Sequence, residues 1–105
     1  MGYYPVTIDL VRQGNSLGIV CSPHRVYVER GADVEWLCPG GHPFAVDFGW
    51  NSPFSAVSFS AQKGGSTKVA VPNGAAFSKY EYFVALYDAS TGLVYTLDPE
   101  MIIKR

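Results

Sequence analysis

Two cysteines and two histidines fall in paired spacings: Cys21-Ser22-Pro23-His24, then Cys38-Pro39-Gly40-Gly41-His42. Zinc takes two thiolates and two imidazoles in a tetrahedron, and closely spaced Cys/His pairs supply them in structural sites. Cys21, His24, Cys38 and His42 are therefore the candidate metal ligands. A glycine turn between the pairs, at Gly31, would bring them to one end of a sheet. A structural reading has more weight. Each Cys is followed closely by Pro and sits among apolar residues, and a free Cys commonly behaves as a small buried hydrophobe. A chain with enough core to fold unaided has no need of a metal. The expectation is no metal and no cofactor, with the four Cys and His residues as the alternative.

Covalent catalysis needs a nucleophile beside a histidine that a third group orients. Cys38 and His42 are near enough in sequence to meet, and Gly40 and Gly41 offer free backbone N–H groups. A tight loop needs the same glycines for turning alone. No nucleophile elbow, phosphate loop or dinucleotide fingerprint is present. The expectation is a protein without catalytic residues.

The elements that would hold these side chains are strands. From Val26 to Phe48 apolar residues recur with a period of two: Val26 and Val28, then Val34 and Trp36, then Phe44, Val46 and Phe48. That period gives each strand a dry face and a wet face. Gly31 supplies the turn between the first two, and the Pro/Gly loop 38–43 ends the second. Trp36, in phase with Val34, belongs inside; Trp50, in the loop GWNSPF, belongs outside.

The rest of the chain repeats the pattern. Tyr4–Val11, Leu17–Cys21, Ala56–Ala61, Thr67–Val71, Leu93–Leu97 and Met101–Lys104 read as strands separated by Gly, Pro, Asn and Ser turns. Tyr80–Tyr87 is the longest and most apolar run, with Tyr80, Tyr82, Val84 and Leu86 on one side. Ser52-Pro53 has the chemistry to cap one helical turn. The seven tyrosines serve cross-strand packing, or alternatively a stacking or binding patch. The sum is an all-β chain: one domain over 1–105, a Greek-key sandwich or barrel of about 7–8 strands.

Composition narrows the function. Hydrophobic residues make up 48% and charged residues only 16%, and the net charge is −1. Disorder is not expected on that balance, and neither nucleic acid nor an anionic membrane is an expected partner. No apolar run is long enough to span a bilayer. Residues MGYYPV carry no signal-peptide pattern, and Val6 stands where a myristoylation signal has Ser or Thr. A cytoplasmic location is the default expectation.

From Leu17 to Lys104 the order of features resembles the cupredoxin family. GADVEW, HPFAVDF and KYEYFVALYD occupy the places of that family's turn-and-strand pair, Pro-His loop with apolar strand, and Tyr-rich strand. The resemblance implies a copper site, but the ligands do not carry over. Where the family has His after Pro, this chain has Pro43-Phe44. Where it has Cys on the Tyr-rich strand, this chain has Val84. The loop Leu86–Val94 holds no His and no Met, and Met101 lies beyond it. His42 restores one ligand at most. The family's strand order also puts the first strand between those bearing Cys21 and Cys38, about 9–10 Å apart. That is awkward for one ion and too far for a disulfide. The string CSPH at Cys21 matches a family copper loop but stands at the wrong end of the chain.

A cupredoxin-like frame without copper, and with few charges, leaves a non-catalytic interaction module as the expected function. The expected contact surface is His42, Pro43, Phe44, Trp50 and Pro53. The partner is a protein or a second copy of the chain.

Overall fold

The computed structural model describes residues 2–105. It contains eleven short strands and, among the described residues, no helix. They are β1 (Tyr3–Gln13), β2 (Ser16–Ser22), β3 (Arg25–Val28), β4 (Asp33–Leu37), β5 (Phe44–Asp47) and β6 (Ser58–Ala61). Then follow β7 (Ser66–Ala70), β8 (Lys79–Glu81), β9 (Phe83–Asp88), β10 (Leu93–Leu97) and β11 (Glu100–Ile103). Among the described residues no helix is long and apolar enough to cross a membrane.

One layer has the order β2-β1-β4-β7. Gly14, at φ 65°, opens the tight β1–β2 turn that sets Gln13 opposite Ser16. β1 then runs parallel to β4, with Val6 opposite Trp36. The second layer is composite, β10-β9-β5-β6 continued by β3-β11-β8. Its halves share one hairpin register: Leu97 lies opposite Val84 and Glu100 opposite Glu81. Pro99 interrupts the ladder because it has no N–H to donate; its carbonyl still accepts from Tyr82 N at 3.2 Å. The Tyr80–Tyr87 run is thus one strand by register but two by hydrogen bonding. Breaks of this kind raise the strand number above the expected 7–8.

Alternation holds through the break. Tyr80, Tyr82, Val84 and Leu86 are all buried, facing Val6, Ile8, Val34 and Trp36 from the other layer. Trp36 has no exposed surface and sits among Phe48, Phe54, Phe59 and Tyr82. Its Nε1 donates to the Tyr82 hydroxyl at 3.3 Å. Burial pushes the pKa of that hydroxyl up, and the bond from Trp36 opposes the shift. Ser52 caps no helical turn. Its Oγ accepts from Phe54 N at 3.1 Å and donates to Ala56 O at 2.7 Å, fixing a bend that buries Phe54.

Candidate functional site

The four Cys and His residues do not assemble. Cys21 is on β2, opposite Ile8 of β1. Cys38 follows β4, whose last residue Leu37 lies opposite Thr7 on the other side of β1. The intervening strand holds the two about 9–10 Å apart. Both thiols are free and buried. Burial, with a smaller effect of the Asp9 charge, pushes the Cys21 thiol up to about 12, so it is protonated and inert at neutral pH. His24 is exposed between β2 and β3. Among the described residues no three His, Cys, Asp or Glu side chains converge to hold a metal ion.

His42 instead meets Asp88. Its Nδ1 lies 4.0 Å from Asp88 Oδ1 in a cleft of about 230 Å³ shared with Gly40, Gly41, Lys63 and Ser90. Gly41, at φ 81°, shapes the loop, and its carbonyl accepts from Gly64 N at 3.0 Å. Asp88 is buried, 2% exposed. Its Oδ1 accepts from the Ser90 hydroxyl at 2.8 Å and Ser90 N at 3.2 Å; its Oδ2 accepts from the Thr91 hydroxyl at 2.9 Å. The hydroxyls therefore bind the acid and not the imidazole, so the order nucleophile–base–acid is not formed. This arrangement locks the β9–β10 turn.

The Ser90 bonds, foremost, hold the Asp88 carboxyl below the usual carboxylate range. Glu29, Glu35 and Glu100 are lowered likewise, chiefly by bonds from Tyr4, Tyr3 and Arg25. A carboxyl whose pKa falls on folding stabilises the fold fully above its unfolded value, near pH 4, and loses that contribution as pH drops through the folded value. The urea midpoint should therefore stay level from pH 8 to about pH 5 and fall below about pH 4. A midpoint that rises on acidification would contradict these assignments.

The expected contact surface needs correction. Phe44 is 4% exposed and Pro53 is buried, so neither side chain is available to a partner. Phe44 points inward with Val46, and Pro53 is folded under with Phe54. His42 and Pro43 precede β5 while Trp50 follows it, so they lie at opposite ends of that strand. Trp50 itself is 95% exposed. Inside the His42 end, Phe44 pairs across strands with Leu86, and Val84 pairs with Val46. All four are buried hydrocarbon.

An exposed apolar surface lies elsewhere, on the outer face of β10-β9-β5-β6. Tyr87 lies beside Val94, Ala85 beside both Thr96 and Ala45, and Ala45 beside Ser60. The small side chains form the floor of a trough of about 320 Å³ walled by Pro43, Tyr87 and Val94. Its lining carries no charged residue. The signal was present in the chain: Phe83 and Tyr87 stand on the wet side of an alternating strand, where aromatic residues have no packing duty.

No protein-family model matches this chain, and no curated protein does. Among solved structures, the crystal structure of pseudoazurin from Methylobacterium extorquens AM1 is similar over 95% of this chain and 75% of its own, at 18% identity and a TM-score of 0.51. That likeness shows a cupredoxin-like fold.

Proposed function

We propose that the chain is a cupredoxin-like domain without a copper centre, working as a non-catalytic protein-interaction module through the outer face of β10-β9-β5-β6. A blue-copper site needs a thiolate and two imidazoles in one plane. The family resemblance puts an imidazole at Phe44. The side chain opposite Phe44 is Leu86, one pleat along from Val84. Either position is hydrocarbon, so the residues present do not fit the ion. The Cys21, His24, Cys38 and His42 alternative has no observation in its favour.

The observation that carries the proposal is the uncharged trough between Pro43, Tyr87 and Val94. Single exposed apolar residues are ordinary, but Tyr87 and Val94 stand together at the edge of an uncharged trough. Exposed aromatics with few charges are the composition of interface centres. A photo-crosslinking amino acid at position 96, exposed on the edge strand β10 beside Ala85 of the trough, should give discrete adducts in the organism that makes the protein. The same group at position 68, exposed on β7 of the other layer, should give none. An adduct of twice the chain mass would identify a second copy as the partner. No adducts from position 96, or the same set from both positions, would refute the proposal.

A further inference from the structure

Below the trough, the same face changes character. Phe83 is 59% exposed, and Asp47 of β5 is its cross-strand partner. Asp98, just past the end of β10, and Glu81, two residues before Phe83, line a cleft of about 220 Å³ with Phe83 and Trp50. Two exposed aromatic rings are thus edged by three carboxylates. The base at hand is Lys79, and it is shared: its Nζ lies 3.8 Å from Glu81 and 3.5 Å from Glu100. Glu100 also takes Arg25 at 2.7 Å. Among the described residues, Asp47 and Asp98 have no ion-pair partner within 4.0 Å.

Aromatic faces attract cations through the ring quadrupole, and nearby carboxylates add a charge complement. A guanidinium also stacks flat and forks its N–H groups toward carboxylates. Along β9, Phe83 and Tyr87 stand four residues apart, roughly 14 Å. The geometry points to a partner segment that is both basic and apolar: an arginine side chain between Trp50 and Phe83, held by Glu81 and Asp98, and an apolar side chain about 14 Å away in the trough. This rests on the outer face being the contact surface and adds what the partner must present there.

The probe is acetyl-arginine amide, titrated into the isotope-labelled chain and followed by NMR. Acetyl-citrulline amide, the uncharged isostere, is the control. The arginine derivative should shift the Trp50 indole N–H and the Phe83 amide saturably, and bind at least about threefold more tightly than citrulline. Phe83→Ser should weaken it about threefold. Glu81→Gln with Asp98→Asn should abolish the arginine preference. Trp50→Phe assigns the indole signal, because Trp36 is buried. Equal shifts from both probes, or arginine shifts just as large around Asp9 and Glu35 on the other layer, would overturn the inference. Position-96 adducts with no arginine preference would sink this inference alone. An arginine preference with no adducts would sink the interaction proposal instead.

Discussion

Trp36→Ala should cost about 3–5 kcal/mol of folding stability, the usual toll for emptying a large buried aromatic site. Small domains have only about 5–15 kcal/mol in total, so the variant should be largely unfolded or close to it. The reason is local. Trp36 is in contact range of four aromatic rings, stacked on Phe59 at 6.1 Å and edge-on to Tyr82 at 5.8 Å. Phe59 is held in β6 and Tyr82 by its N–H bond to the Pro99 carbonyl, which limits collapse into the space. The substitution also takes from the buried Tyr82 hydroxyl its Trp36 donor, which adds to the loss. Trp36→Phe should recover most of the stability, since it keeps a ring in place. Urea denaturation followed by circular dichroism reads both; a Trp36→Ala midpoint near that of the parent chain would contradict this packing.

Tyr87→Lys with Val94→Asp should have the opposite profile, with folding kept and binding lost. The two side chains are cross-strand partners and 43% and 61% exposed. Opposite charges placed across strands attract each other, so stability should change by about 0.5 kcal/mol or less. Two charges set into the rim of an uncharged trough must be desolvated by any apolar partner. Replacing a hot-spot residue, the kind that clusters near the centre of an interface, costs about 2 kcal/mol or more. Adducts from position 96 should therefore drop at least about tenfold. Undiminished adducts in the double variant would show that the contact lies elsewhere.

Much of the frame was legible from residue order because sandwich strands write their inside face into alternate positions. Val34 and Trp36, and Tyr80, Tyr82, Val84 and Leu86, are buried as their period demands. Trp50 is exposed as its loop setting demands. The separation of Cys21 from Cys38 by β1 follows the family's strand order. The contact surface was less legible. Phe44 belongs by period with Val46 and Phe48, and grouping it with the neighbouring loop gave composition precedence over phase. Pro53 reads as a surface loop residue, yet the Ser52 bend folds it under with Phe54. Residues close in sequence around β5 end up at its two ends, because a strand separates what a helix would bring back together. Conversely, Pro43, Ala45, Ser60, Ala85, Tyr87 and Val94 come from four segments and meet only through strand register. No single stretch of sequence contains that trough.

The domain is held to act through its surface and not through a bound ion. Elemental analysis of protein purified without chelator or histidine tag tests this, repeated after exposure to copper and to zinc and then desalting. Metal far below one ion per chain in every sample is expected, with both Cys21 and Cys38 titrating as free thiols after unfolding. One copper or zinc per chain surviving desalting would contradict it, and a thiol that reacts in denaturant only after chelator is added would assign a cysteine as its ligand.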